Sequence, residues 1–238
     1  VINGTGVLRF GDVTIDTTGG VTIHGTVTGD AVTIGATKTP GSVQFNETLD
    51  LDDNLAITVA ATGTITFSTE TDLTTSSGGT VDLNSAGAGG SVTINDTAAA
   101  QWDIDGAFDI DGNFANVNLG ENIRTSGDVI GIASPTTLTE DISLVTTNGV
   151  AAGANINLAA VTATSAAPNA ETLTLDAGTD GDITVSGQIG ATRLGLVTVT
   201  DADDVSFTNV ADAAITGLTV NASRFAVTGQ IDTDTAGI

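Results

Sequence analysis

A short alternating phrase that returns along the chain constrains the fold more than any other feature of the sequence. Each copy places an apolar residue, a small polar residue and a second apolar residue in succession, and a turn follows. Because successive side chains of a strand point to opposite faces, the two apolar residues of a copy share one face. The phrase therefore predicts short, half-buried strands at residues 13–15, 21–23, 32–34, 43–45, 65–67, 81–83, 92–94, 173–175, 183–185 and 205–207.

The spacing of these phrases distinguishes between two all-β architectures. Neighbouring copies begin roughly eight to eleven residues apart, with Gly, Asn, Asp or Thr between them. A chain of β-sandwich domains would instead repeat at about 100 residues. In a parallel β-solenoid, each coil contributes two or three short strands and stacks about 4.8 Å from the next. We therefore predict an all-β parallel β-solenoid of about ten coils, each of roughly 20 to 25 residues, forming a rod on the order of 50 Å long.

Composition favours one elongated domain over residues 1–238. Hydrophobic residues make up 40% of the chain but aromatic residues only 3%, so stacked Val, Ile, Leu and Ala must fill the interior. The rhythm loosens over residues 120–171, where a Ser-Pro pair and Ala-rich runs predict longer loops or an irregular coil. The chain lacks Met, even at position 1, and has no signal-peptide pattern. We therefore expect a segment of a longer protein.

The charge balance excludes two classes of partner. Five Lys and Arg residues face 29 Asp and Glu residues, which gives a formal net charge of −24. Nucleic acids are excluded because affinity for phosphate backbones comes from Lys and Arg. Anionic lipid headgroups are repelled for the same reason, and no apolar stretch is long enough for a spanning helix. Cys is absent, so disulfide bonds and thiolate metal sites are also excluded.

A tandem hexapeptide at residues 103–114 is the sharpest local motif: Asp-Ile-Asp-Gly-Ala-Phe is followed at once by Asp-Ile-Asp-Gly-Asn-Phe. Carboxylate and amide oxygens are ligands that Ca²⁺ takes, but the spacing fits neither an EF-hand nor the nonapeptide of calcium-binding β-rolls. Acidic clusters at residues 50–53 and 201–204 are interpreted as turns. For the hexapeptides two interpretations stay open: a solvated acidic face with Asp-Gly corners, or a calcium site formed by Asp103, Asp105, Asp109, Asp111 and Asn113.

Catalysis is not expected from this sequence. A polysaccharide lyase needs Lys or Arg near its substrate, whereas the five basic residues are spread along the chain. Carboxylate pairs such as those of glycoside hydrolases are too common here to discriminate. His24 is the only histidine and has outward parity, so we predict an exposed surface residue, and we place Trp102 in the core or a cap. No catalytic residue and no required cofactor are therefore predicted, and a β-helix carbohydrate enzyme is the least favoured alternative.

Three stretches of the sequence resemble a known family. Residues 138–144, 173–187 and 193–199 are similar to the β-strand repeats of filamentous-haemagglutinin-like and autotransporter-like adhesins, which are very large bacterial surface proteins. The resemblance is clearest over residues 136–231. It implies a right-handed parallel β-helix, export to the cell exterior, and a role in adhesion, biofilm or surface-layer architecture. It carries no catalytic motif.

These observations lead to one functional expectation and one main alternative. We expect a structural segment of an exported bacterial surface protein: an adhesin shaft, a stalk, or an extracellular filament or matrix subunit. The alternative is a calcium-dependent adhesive or ligand-binding module. Open strand edges at solenoid ends template further pairing, so the expected partners are neighbouring repeats or further copies end to end. Cell-surface or matrix polysaccharide is a second candidate partner.

Overall fold

The chain winds as a parallel β-solenoid of about nine turns. The computed structural model describes residues 7–95, 101–164, 171–210 and 216–231. Within these ranges the ladders between strands are parallel, and the isolated bridge between Ser126 and Thr147 is antiparallel. The described residues contain no helix long and apolar enough to cross a membrane. The predicted fold class is confirmed, and hairpin-paired sandwiches are excluded for the described part of the chain.

Three ladders run along the solenoid. The first contains β1 (Leu8–Phe10), β4 (Val27–Gly29), β7 (Leu49–Leu51), β10 (Leu73–Thr75), β13 (Trp102–Ile104), β16 (Ile123–Thr125), β19 (Ile142–Val145), β22 (Leu173–Asp176), β24 (Leu196–Asp201) and β26 (Gly217–Val220). The second contains β2 (Val13–Ile15), β5 (Val32–Ile34), β8 (Leu55–Val59), β11 (Val81–Ser85), β14 (Phe108–Ile110), β17 (Ile130–Ile132), β20 (Ile156–Leu158), β23 (Ile183–Ile189), β25 (Asp204–Val210) and β27 (Arg224–Val227). The third contains β3 (Val21–Ile23), β6 (Ser42–Phe45), β9 (Thr64–Phe67), β12 (Ser91–Ile94), β15 (Asn116–Leu119), β18 (Thr136–Leu138) and β21 (Val161–Ala163).

The number of residues per coil varies, whereas inward-facing residues of one coil stay paired with inward-facing residues of the next. Leu8 pairs with Val27, 19 residues later, whereas Ile142 pairs with Leu173, 31 residues later. The first ladder has ten strands, so at about 4.8 Å per step the described rod is roughly 43 Å long. Near its end, β23 and β25 bend across two faces, and Ile189 of β23 pairs with Val161 of the third ladder.

The apolar residues of the alternating phrases fill the interior of the solenoid, as predicted. All ten phrases lie within strands, and their apolar residues point inward and are buried from β3 onward. The aromatic residues cluster near the middle of the rod, where the Phe45 and Phe67 rings stack at 5.3 Å and Trp102 meets Phe67 edge to face at 4.7 Å. Trp102 is fully buried, and its indole N–H donates to the Thr71 carbonyl at 3.2 Å. The prediction that Trp102 lies in the core is confirmed.

The region of looser rhythm, residues 120–171, keeps the ladders in place. Strands β16 to β21 continue the stack up to Ala163. The longest pairing interval, from Ile142 to Leu173, falls here and leaves room for a corner loop. Thr146 closes that loop, because its hydroxyl donates to the Ala154 carbonyl and accepts from the Ala154 N–H, both at 2.9 Å.

Candidate functional site

The two hexapeptide copies fall on two different faces of one coil. In the first copy, Ile104 of β13 points inward and Asp103 points outward on the first ladder. In the second copy, Ile110 of β14 points inward and Asp109 points outward on the second ladder. The corner at Asp105 separates the two strands. The carboxylates therefore do not form one row, although each copy alternates as the sequence predicts.

Asp103 forms an ion pair with the following coil. Its Cα partner is Arg124 of β16, whose Nε and Nη2 donate to the two carboxylate oxygens at 2.8 and 3.0 Å. Both side chains are about one-third exposed, at 33% for Arg124 and 37% for Asp103. Turned so that its amide oxygen faces the guanidinium, Gln101 also accepts from Arg124 at 2.6 Å. A bidentate pair of this geometry joins two coils on the outside of the first ladder.

Asp105 holds a corner. Its carboxylate accepts from the backbone N–H of Gly78, which lies one coil earlier, at 2.8 Å. Its own N–H donates to the hydroxyl of Thr75 at 2.9 Å. Gly78 has a φ of +79°, a conformation that favours glycine. The carboxylate thus binds a backbone donor that the tight turn leaves outside the ladder.

Asp111 and Asn113 form the next corner. Asp111 accepts from the N–H of Ser85 at 3.1 Å and from the N–H of Asn113 at 3.0 Å. The Asn113 amide donates to the Ser85 carbonyl at 3.2 Å. These contacts combine an Asx turn with a bridge to the preceding coil. Both side chains are therefore engaged by the backbone of the protein itself.

Asp109 stands in a different environment. Its Cα partner on the preceding coil is Asp82, so two carboxylates lie directly opposite each other. Partial burial, and then the charges of Asp82 and Asp111, raise the pKa of Asp109 above its usual value. Like charges directly opposite each other across a ladder are destabilising. Asp109 is therefore a point of electrostatic strain on the outer face of the second ladder.

A shallow groove of about 350 Å³ begins at Asp109 and crosses the next coils of the second ladder. Gly131 lines the groove, and an added Cβ at this position would lie 2.5 Å from a carboxylate oxygen of Asp109. The described wall residues that carry polar groups include Asn157, Thr184 and Ser186. Such side chains exchange hydrogen bonds with hydroxyl-rich ligands.

No metal cage is evident in the described ranges. Within them, no group of three or more His, Cys, Asp or Glu side chains is placed to hold a metal ion. The calcium-site residues are divided among an ion pair, two corners and the groove, as described above. Calcium binding by Asp103, Asp105, Asp109, Asp111 and Asn113 stays the untested alternative, and it would require the four residues other than Asp109 to leave their present partners.

Sequence reasoning missed a repeated bridge at the coil corners. The side-chain oxygen of Asn155 accepts from the N–H of Asp182 at 2.9 Å, and Asp182 in turn accepts from the N–H of Asp204 at 3.2 Å. Asn54 does the same for Thr80 at 2.8 Å. Each acceptor immediately precedes an inward residue of the second ladder. The available signal was Asn or Asp at this one position in coils of different length.

The remaining acidic clusters bridge coils as well. In the cluster at residues 50–53, Asp50 accepts from the hydroxyl of Thr74 on the next coil at 2.9 Å. In the cluster at residues 201–204, Asp204 pairs with Arg224, and the hydrogen bonds from this arginine lower the pKa of Asp204. These carboxylates therefore form polar contacts between neighbouring coils in addition to shaping turns.

His24 is exposed, as predicted. Its Nδ1 lies 2.9 Å from the side-chain nitrogen of Asn46 on the next coil. The contact is one more polar bridge between neighbouring coils.

No family model, curated protein or solved structure matches this chain. The resemblance to bacterial adhesin repeats therefore stays a prediction from sequence. Fold alone does not imply function, so function must be argued from the interior, the surface and the ends of the solenoid.

Proposed function

We propose that this chain is a structural segment of an exported bacterial surface protein, serving as an adhesin shaft, a stalk or an extracellular filament subunit. The observation that carries the proposal is the continuous apolar interior, which extends from Val21 to Leu218 through the described coils. In a solenoid each coil contacts only its neighbours, so the structure grows in one dimension. A rod of this kind is suited to holding other parts of a protein at a distance from a cell.

The contacts between coils support a mechanical role. Each coil is joined to the next by backbone hydrogen bonds on the ladders that surround the core. The ion pair of Asp103 with Arg124 and the corner bond from Asp182 to Asn155 add side-chain links between coils. Tension along the rod acts on all the hydrogen bonds between two coils at the same time. Separating one coil from the next therefore requires the bonds of all the ladders at that step to break together.

The outer faces support a role in an exposed, aqueous setting. Outward positions carry mostly Thr, Asn, Asp and Ser, and the net charge is −24. Large apolar side chains exposed among the described residues are Val7, Val129, Val150, Leu196 and Phe225. Self-repulsion keeps the sides of neighbouring rods apart, and extracellular salt screens the repulsion within one rod. These features support the proposed location at the bacterial cell surface.

A non-catalytic role fits the state of the carboxylates. Asp103 is neutralised by Arg124, and Asp105 and Asp111 accept from backbone N–H groups. Asp109 faces a groove whose described lining residues include no basic or aromatic side chain. Asp82 lies directly opposite Asp109, but the described lining of the groove offers no stacking or basic side chain to hold a sugar against this pair.

Surface labelling tests the proposed location and role. Antibodies raised against the purified chain should label intact cells of the native host, and electron microscopy of the purified chain should show rods about 43 Å long or multiples of that length. A cytoplasmic marker protein is the control, and it should label only after permeabilisation. Labelling of the chain only in permeabilised cells would contradict export to the surface. Turnover of acidic polysaccharide that is lost on Asp109→Asn would contradict the non-catalytic role.

A further inference from the structure

The last rung leaves core-facing side chains uncovered. Phe225 of β27 is the Cα partner of Val205, which is 2% exposed, so Phe225 has inward parity; yet it is 40% exposed. In the neighbouring strand β26, Leu218 and Val220 border a cavity of about 440 Å³ that Phe225 also lines. These residues face the solenoid axis as core residues do. Leu218 is 6% exposed, whereas Val220 is only partly buried and Phe225 is exposed, because no described strand stacks on the far side of β26 or β27.

The first rung also has core-facing side chains that no described strand covers. Leu8 and Phe10 of β1 pair with positions of β4, and Val13 and Ile15 of β2 pair with positions of β5. All four have inward parity but are only partly buried, whereas Val32 and Ile34 in the next coil are each 1% exposed. Both ends of the described solenoid therefore present half-covered apolar residues in the same columns.

The backbone edges at the two ends are complementary. Along the second ladder the N–H of an inward residue donates to the following coil, as Val13 donates to the Ala31 carbonyl at 2.9 Å. The N–H of an outward residue donates to the preceding coil, as Thr228 donates to the Phe207 carbonyl at 3.0 Å. Inward N–H groups of β27 therefore point beyond the last rung, and outward N–H groups of β2 point away from the first. In a parallel ladder each of these N–H groups faces a carbonyl oxygen of the other strand, as Val13 N–H faces the Ala31 carbonyl and Gly35 N–H the Ile15 carbonyl within this chain.

We propose that a second copy of this chain stacks its first rung on the last rung, head to tail, in the register that the internal coils use. In this register β1 of the second copy pairs with β26, and β2 pairs with β27. Leu8 then covers Leu218, and Val13 covers Phe225. The proposal rests on the structural role proposed above and specifies its filament form.

Opposite charges on the two copies specify the register of this end-to-end contact, which we call the joint. One residue before Val13 is Asp12, and one residue before Phe225 is Arg224, so the pairing that covers Phe225 also places Asp12 over Arg224. Arg224 binds Asp204 on the preceding coil through Nε at 2.7 Å, and its side chain is 78% exposed. The guanidinium would then lie between two carboxylates, one from each copy.

The first ladder agrees with the same register. One residue before Leu8 is Val7, which is 53% exposed, and it would lie over Gly217. Gly217 has no side chain, and Leu196, its partner on the preceding coil, is 42% exposed and places a methyl group 3.2 Å from where a Cβ of residue 217 would lie. Three of the large exposed apolar side chains of the described residues, Val7, Leu196 and Phe225, thus belong to one joint.

Two blocked variants test the polarity of the joint. Phe225→Glu places a charge on the last rung, and Val13→Glu places one on the first. Sedimentation velocity and negative-stain electron microscopy should show concentration-dependent rods of multiple length for the wild-type chain and single rods for each variant alone. An equimolar mixture of the two variants should form a dimer, because each supplies one intact end. Thr66→Glu, an outward change on the side of the rod, is the control and should assemble as the wild type does.

Charge reversal tests the register. Arg224→Asp and Asp12→Arg should each assemble less than the wild type, since each faces a like charge across its own joint. Mixed together, the two variants should regain assembly, because every joint in an alternating filament then has opposite charges. Failure of the mixture to exceed either variant would refute this register.

Other outcomes separate failure of the joint from failure of the proposed function. Wild-type chains that stay single rods at all concentrations, with the rod shape confirmed by X-ray scattering, would refute end stacking and leave the shaft role standing. Assembly of Phe225→Glu alone would refute head-to-tail polarity. Loss of the rod shape itself in the wild type would contradict both proposals.

Discussion

Replacing Asp109 by Asn should stabilise the protein at neutral pH. Asp109 lies directly opposite Asp82, and its pKa is raised by burial and by the charges of Asp82 and Asp111. The amide keeps the shape of the side chain but removes the repulsion. Cross-strand pairs are worth roughly 0.2–1 kcal/mol, so we expect Asp109→Asn to raise the free energy of unfolding by about 0.5 kcal/mol at pH 7.

The gain should disappear in acid. The pKa of Asp109 is higher in the folded protein than in the unfolded chain, so protonation favours the folded state. This contribution is fully present below the unfolded pKa, which is about 3.9 for Asp, and is lost as pH rises through the folded pKa. The difference between Asp109→Asn and the wild type should therefore be near zero at about pH 3 and largest at neutral pH.

Asp103→Asn is the matched control, because it is the same chemical change on the same coil. It removes one partner of the ion pair with Arg124, a loss of up to about 1 kcal/mol for an exposed pair of good geometry. This loss exceeds the relief of repulsion at the partly buried Asp72, whose pKa is raised by desolvation and then by the charge of Asp103. Urea denaturation followed by circular dichroism should therefore move the two midpoints in opposite directions at pH 7. In 1 M NaCl, where the Debye length is about 3 Å, both effects should shrink. Destabilisation by Asp109→Asn at pH 7 would refute the electrostatic argument.

Three further predictions concern the core, a corner and calcium. Phe67→Ala should lower the free energy of unfolding by about 3–5 kcal/mol, whereas Phe225→Ala, at the open end, should cost at most about 2 kcal/mol in single rods. Gly153→Ala should cost more than Gly149→Ala: both have positive φ, but an added Cβ would lie 1.9 Å from a backbone oxygen at Gly153 and meets nothing within 4 Å at Gly149. Millimolar calcium should raise the melting temperature no more than NaCl of equal ionic strength, because the hexapeptide carboxylates lie on two faces.

Each of these predictions has a distinct contrary result. Equal losses in urea denaturation for Phe67→Ala and Phe225→Ala would mean that the aromatic cluster is not the packed centre of the rod. Equal losses for the two glycine variants would contradict the close approach of the corner at Gly153. A saturable rise in melting temperature with calcium, abolished by Asp109→Asn, would support the calcium-dependent alternative.

The fold could be predicted because alternation is a local property. Any strand with Val, Thr and Ile in succession buries its first and third side chains when a partner stacks on it, wherever that partner lies in the sequence. The strand Ile130–Ile132 escaped prediction because its outward residue is Gly131, which breaks the polar pattern. The variable coil length, from 19 to 31 residues between paired positions, also blurred the period.

The contacts of the hexapeptide could not be predicted, because they depend on register. Asp103 meets Arg124 only because 21 residues separate their coils at this point. Asp109 is strained only because Asp82 occupies the same column one coil earlier. The sequence shows four similar aspartates, whereas the neighbouring coils give one an ion pair, two a role in a corner and one a like charge. The sequence alone, without the pairing of residues between coils, does not indicate which aspartate forms which contact.

Distances along the outside of the rod test the central claim, that the chain stacks as parallel rungs in fixed register. The chain has no Cys, so paired cysteines at outward positions of the third ladder would carry the only spin labels. Thr22 and Thr137 lie five rungs apart, and Thr22 and Thr162 six. Pulsed electron paramagnetic resonance should give distances that increase from about 24 to about 29 Å, one rung of about 4.8 Å per step. A Thr22–Thr162 distance equal to or shorter than the Thr22–Thr137 distance would contradict the solenoid.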